Sequence, residues 1–250
     1  MRRGIWITVL AVVAFAVIVI ARLPASWVVP APPSVVSCGA VDGSIWSGSC
    51  AGLNVQGATL GDVVWDIHAL KLLTLKLSAN IALTRPVGSL HGDFDVGLDK
   101  SVTARNVQAD IPLDGDVLLL LPPNLQTLRG NINANIDSAY IAKNVIKQIA
   151  GHIEVHDLVD HDRQGVATPL GNYAVTFPPA ATGDPTGQIK DLGGPLAVDA
   201  TLRLTQDPGF DLQGYVTPRP DATPALVNQL QYLGSPDAQG RRQFGTSGTF

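Results

Sequence analysis

Residues 73–83 read LTLKLSANIAL, and the beat of that stretch decides the fold. Leu73, Leu75, Leu77, Ala79, Ile81 and Leu83 hold the odd positions, with Thr74, Lys76, Ser78, Asn80 and Ala82 between them. Successive side chains of an extended chain point to opposite faces, so a period of two marks a strand with one apolar and one wetted face. A strand buried on both faces of a parallel sheet would instead read as an unbroken apolar run, so the alternation predicts antiparallel pairing.

The same beat recurs along the chain. In RGNINANID, Ile132, Ala134 and Ile136 alternate with Asn131, Asn133, Asn135 and Asp137. In PLAVDATLRL, Leu196, Val198, Ala200, Leu202 and Leu204 stand opposite Asp199, Thr201 and Arg203, and Phe210, Leu212 and Val216 continue the pattern. Upstream, Leu53 and Val55, then Val63, Trp65, Ile67 and Ala69 keep it, so residues 41–69 read as two or three short strands with glycine turns. Turn residues punctuate these runs, among them Pro86, Gly88, Pro178, Pro179 and Gly193 to Pro195. Several strands are expected to begin just after a glycine: Gly43, Gly61, Gly88, Gly130, Gly151, Gly171, Gly194 and Gly209. The total is about ten strands.

Helical signals are few. TPALVNQLQYLGSP places Thr223 at an N-cap and Pro224 at the first helical position, with Leu226, Leu230 and Leu233 on one face and Gly234 and Pro236 as stops. DGDVLLLLPPNL reads either as a short helix before Pro122 and Pro123 or as a strand.

At the amino end, IWITVLAVVAFAVIVIA (5–21) is free of charge, roughly 17 residues and about 26 Å as a helix, the lower limit for a bilayer core. Arg2 and Arg3 precede it, and after Arg22 no Lys or Arg occurs until Lys71, which places the amino terminus in the cytoplasm and exports the remainder. A cleaved signal peptide is the alternative, but the residues that follow offer no clean small-residue cleavage site. The expected organisation is a cytoplasmic end (1–4), a transmembrane anchor (5–21), a proline-rich periplasmic stalk (22–37) and a periplasmic β-rich domain (38–250). Trp27 suits an interfacial aromatic. The fold class is therefore mainly β: one N-terminal transmembrane helix, then a curved, mostly antiparallel sheet, half-barrel or groove-like, with a short C-terminal helix.

The chain has 250 residues, of which 15% are charged and 46% hydrophobic, with a net charge of −4. Its few cations are scattered, which leaves no footprint for nucleic acid. Both cysteines, Cys38 and Cys50, fall on the exported side, where a pair at this spacing reads as a disulfide closing a hairpin-sized loop; two unpaired buried thiols are the alternative.

Catalytic and cofactor motifs are missing from the sequence: it contains no GxxxxGK[ST], no GxGxxG and no HExxH. GSCAG around Cys50 imitates a nucleophile elbow, but strand rather than helix is expected after it. GHIEVHDLVDHD is the densest ionisable stretch; on a strand its His152 and His156 flank Glu154 on one face about 13 Å apart, too far to share one ion. Asp93, Asp95 and Asp99 read as acids on an outer face. No catalytic residue, cofactor or metal is expected. Trp46 and Trp65 are candidates for groove or core aromatics, and Arg219, Arg241 and Arg242, flanking the terminal helix, are candidates for contact with a partner.

Three stretches near the start, ARLPASWV, GSIWSGSCAGL and LGDVVWDI, resemble the opening of the type II secretion system protein N family. The far end, from PLGNYAVTF through LGGPLAVDATLRL to GYVTPRPDATPALVNQLQYLGSPDAQGRRQFGTSGTF, is similar to its closing section, with Pro218, Arg219, Leu230, Leu233, Gly234, Pro236, Asp237, Gly240 and Arg241 in order. The cysteine pair is a departure. The resemblance implies a non-enzymatic, inner-membrane component of the type II secretion apparatus that touches other components, the secretin or the inner-membrane platform. The alternative is a periplasmic lipid-handling protein whose apolar sheet face forms a groove of the AsmA type.

Overall fold

The computed structural model describes residues 22–27, 35–161, 165–179 and 183–249, together with Val12, Phe15, Ile18 and Val19. The rest of the apolar segment, residues 28–34 of the stalk and Asp162 lie outside the described residues. Among the described residues no helix is long and apolar enough to cross a membrane. Val12, Phe15, Ile18 and Val19 are themselves helical, and the Arg22 amide donates to the Ile18 and Val19 carbonyls at 3.1 and 3.2 Å.

Among the described residues fourteen strands form one sheet: β1 (Val36–Ser37), β2 (Ala40–Gly43), β3 (Ser47–Val55), β4 (Ala58–Ile67), β5 (Lys76–Thr84), β6 (Ser89–Gly97), β7 (Val102–Pro112), β8 (Leu128–Ala142), β9 (Val145–His161), β10 (Ala167–Phe177), β11 (Thr186–Gly193), β12 (Leu196–Thr205), β13 (Gly209–Pro218) and β14 (Arg242–Thr249). From β3 onward each strand pairs antiparallel with the next, while β1 and β2 share the outer edge of β3. β14 does not pair back to the first strands, so the sheet is open with two edges. Neighbours in sequence are neighbours in space, which keeps each loop closure short.

The register sorts the side chains. Trp65 faces Ile81, Ala79 faces Phe94, Ile132 faces Val155 and Val175 faces Ile189 on one side of the sheet. On the other, Asp66, Asn80 and Asp93 line up, as do Gln108, Asn135, His152 and Thr176. This is the alternation of the sequence, written across strands.

Three expectations need correction. The strand read from Leu73 begins at Lys76; Ala69–Thr74 is a 3-10 helix closed by Leu75 in the left-handed region (φ 58°). The flanking strands explain it, because Lys76 is already opposite Gly97, the last residue of β6, and earlier residues have no ladder to join. Gly61, Gly130, Gly151 and Gly171 do not start strands but lie inside them, and register shifts accompany them. At Gly61 (φ 113°) a Cβ would stand 2.4 Å from the Thr84 carbonyl oxygen, a conformation and a closeness only glycine accepts. Finally, there are more strands than the turn residues suggested. The β8–β9 hairpin turns on Lys143 and Asn144, both at positive φ, without a glycine or proline to announce it.

Two connections fold back on the sheet. Within DGDVLLLLPPNL the chain forms 3-10 helices at Gly115–Leu120 and Pro123–Leu125, with Leu118 buried. Helix α1 (Pro224–Leu230) is capped by the Thr223 hydroxyl, which accepts from the Leu226 amide at 3.3 Å. Its Leu226 and Leu230 pack with Leu196 and Val216 into a buried cluster flanked by Leu170, Val198 and Phe244. Leu233 falls in the 3-10 extension Gln231–Leu233, whose tighter turn takes it off the helix face and leaves it exposed.

Candidate functional site

Among the described residues no second layer of sheet or helix covers the apolar face between β4 and β11, and its side chains, Val63, Ile81, Ile132, Ile153 and Val175 among them, are half-buried. The leucine-rich cover lies, among the described residues, at one end of the strands. There the 113–127 connection is tied to β4 by the Thr59 amide, which donates to the Asp116 carboxylate at 2.9 Å, and α1 packs on β12 and β13. An uncovered apolar face of this extent calls for an occupant.

The wetted face carries bonded clusters. The His152 and His156 Nε2 atoms meet the two oxygens of Glu154 at 2.9 and 2.8 Å, and His152 Nδ1 meets the Thr176 hydroxyl at 2.9 Å. The backbone spacing that separates the two rings is overcome by both leaning onto the carboxylate between them. The His152 hydrogen bond, then that of His156, holds the Glu154 carboxyl below the usual range. Beside them a shallow trough of about 470 Å³ is lined by His91, Gln108, Asp110, Asn133, Asn135 and Glu154. Asp95, read as an outer-face acid, is buried, and it takes hydrogen bonds from Ser78 and Arg105. The Ser78 hydroxyl is the main cause of its lowered pKa. Asp99 turns back onto Ser101, whose hydroxyl donates at 2.6 Å.

These clusters are self-satisfied. Among the described residues no group of three His, Cys, Asp or Glu could hold a metal ion. Cys50 is bonded to Cys38 with the Cα atoms 5.5 Å apart, so that thiol serves as a cross-link between the first edge segment and β3.

The arginines surround the chain reversals at the far end of the sheet. Arg219 bridges Asp191 (2.6 Å) and the Gly194 carbonyl (3.0 Å), clamping the β11–β12 turn. Arg241 pairs with Asp237 at 2.9 Å and lies 4.5 Å above the Tyr215 ring. Arg242 donates to the Gly234 carbonyl. Trp46 and Trp65 sit elsewhere, in the β2–β3 turn and in β4: Trp65 Nε1 donates to the Ile45 carbonyl at 3.2 Å, and both residues are half-buried. Sequence spacing located each of these residues, but not the intrachain partners that occupy the arginines.

The second edge is open. β14 (RQFGTSGT) has no proline or lysine and is largely exposed, whereas the first edge is broken into two short strands and cross-linked. Natural edges usually carry blunting devices of the second kind, so β14 is a ready template for another strand.

The family described as Type II secretion system (T2SS), protein N matches residues 34–245, from the first strand into β14. The chain belongs to that family. The type II secretion system protein N of Aeromonas hydrophila is 25% identical over 247 residues, covering 96% of each chain. That of Vibrio cholerae serotype O1 is 25% identical over 240 residues, covering 92% of each. No solved structure matches. For the type II secretion system protein N family, then, the open meander described above stands as the architecture of this member, with β14 unpaired on its outer side and the apolar face uncovered among the described residues.

Proposed function

We propose that the chain is a non-catalytic, tethered component of the type II secretion system that supports export across the outer membrane through contacts with other components. Residues 5–21 hold it in the inner membrane as a single pass, with the amino terminus cytoplasmic and the sheet periplasmic. The match of the protein N family across almost the whole sheet carries this reading. The β14 edge favours a contact by strand addition to the secretin or the inner-membrane platform.

Photo-crosslinking residues at Gln243 and Ser247 test the contact in a secreting cell. Adducts with a secretion-system component are expected there and not at Tyr140, on the middle strand β8. Adducts absent at β14, with secretion intact after the gene is removed, would defeat the proposal.

A second reading follows from the half-buried apolar face: it shields acyl chains, and lipid is then the occupant. Native mass spectrometry of the full chain released from detergent would find bound lipid in that case, and an unliganded mass would not support it.

A further inference from the structure

An isolated exposed leucine needs no explanation; a group of them at one end of a sheet does. Because the strands form a meander, their connections alternate between two ends. The connections at one end are those after β2, β4, β6, β8, β10 and β12. At this end Leu72, Leu75 and Leu77 are exposed, with Val96 opposite Leu77 and Leu98 at 77% exposure in the β6–β7 turn. At the opposite end, α1 and the 113–127 connection bury Leu118, Leu226 and Leu230, while Leu119, Leu120 and Leu125 stay exposed there, so exposed leucine alone does not single out an end.

The chain that leaves the apolar segment is fastened to this same end. The Ile45 amide donates to the Leu23 carbonyl at 3.0 Å, and Pro24 bridges Ser44. Ile67, at the end of β4, donates in turn to the Trp46 carbonyl, which places residues 22–27 beside the 68–75 connection. Trp27 follows, 76% exposed. Lys71, Lys76 and Lys100 are exposed among these leucines, Lys71 with Asp95 at 3.9 Å. The acids nearby are mostly engaged: Asp95 by Ser78 and Arg105, Asp99 by Ser101, with Asp66 exposed at the end of β4.

From this geometry we infer that the 68–77 and 96–100 connections dock on the surface of the lipid bilayer from which the chain emerges, Leu72, Leu75, Leu77 and Leu98 in the acyl boundary and Lys71, Lys76 and Lys100 at anionic headgroups. Leucine with lysine and an adjacent tryptophan is the chemistry of an interfacial segment. The tether of six residues fastened to the turn fixes this end, and not the α1 end, against the membrane. The inference rests on the reading of residues 5–21 as an anchor. It adds that the sheet stands upright on the membrane rather than swinging from a free stalk.

The test uses the full chain in nanodiscs of phosphatidylethanolamine and phosphatidylglycerol doped with nitroxide-labelled acyl chains. An environment-sensitive dye is placed singly at V12C, L72C, L98C or Y232C. Emission at L72C and L98C is expected to shift to the blue and to be quenched several-fold more than at Y232C, beside α1. Lys76→Glu with Lys100→Glu, two exposed changes, should weaken quenching at L98C several-fold in anionic discs and little in zwitterionic ones. Quenching at V12C with L72C and L98C no different from Y232C overturns the inference alone. An unquenched V12C overturns the anchor, and the inference with it.

Discussion

Thr59 and Asp116 are 57 residues apart in the chain, and the backbone amide of the first donates to the carboxylate of the second at 2.9 Å. Three hairpins lie between them. The bond pins the 113–127 connection to the start of β4, above Ala58, which is fully buried. Asp116→Ala leaves that amide without its acceptor, and a lost hydrogen bond to a charged group costs about 1.5–3 kcal/mol where the group stays buried. Because Thr59 is exposed, water takes up much of that loss, and a fall of about 1 kcal/mol in unfolding free energy is expected. Hydrogen exchange should speed up at Thr59 while the β12–β13 amides keep their protection; unchanged exchange at Thr59 would refute the pinning.

Gly61 holds a bulge in β4 at φ 113°, with the Thr84 carbonyl and Arg85 side chain against the place of a Cβ. Gly61→Ala forces either a left-handed strain or a slip of the β4–β5 register, at about 2–4 kcal/mol. Denaturant titration reads the loss. A substitution tolerated within a few tenths would mean the bulge is not needed.

The Cys38–Cys50 bond closes a separation of 12 residues and ties the broken first edge to β3. By loop-closure entropy it contributes about 3 kcal/mol. The double change Cys38→Ser with Cys50→Ser should lower the melting temperature clearly; equal melting of the two forms would contradict this role.

Tyr173 donates its hydroxyl to the Leu170 carbonyl at 2.6 Å. Burial, and then the Asp191 carboxylate, push its pKa up to about 12. The folded value exceeds an unfolded one of about 10, so its contribution is whole below pH about 10 and drains away as pH climbs toward 12. Tyrosinate absorbance should show one late-titrating group among the four tyrosines. Tyr173→Phe should remove that late step; its persistence would assign the shift elsewhere.

Much of the fold could be read from residues. The alternation at residues 79–84, 131–137 and 196–204 is a local consequence of side chains pointing to opposite faces and is kept in β5, β8 and β12, whereas at the start of β5 Leu77 is exposed and Ser78 buried against Asp95. So did the Thr223 cap and Pro224 start of α1. Glycines were harder, because a positive φ serves a turn and a bulge alike; whether Gly151 begins a strand or sits inside β9 depends on what lies across from it.

Sequence alone determined, from hydrophobic period and cap chemistry, a one-faced, mostly antiparallel sheet with a short terminal helix. Tertiary structure decided that the meander stays open, that β14 is its free edge, that Asp116 returns to Thr59, and that Arg219 is spent on Asp191. Periodicity is set by neighbours two residues apart, whereas closure, edge exposure and pairing of charges are set by groups tens of residues away that only the folded chain brings within bonding distance.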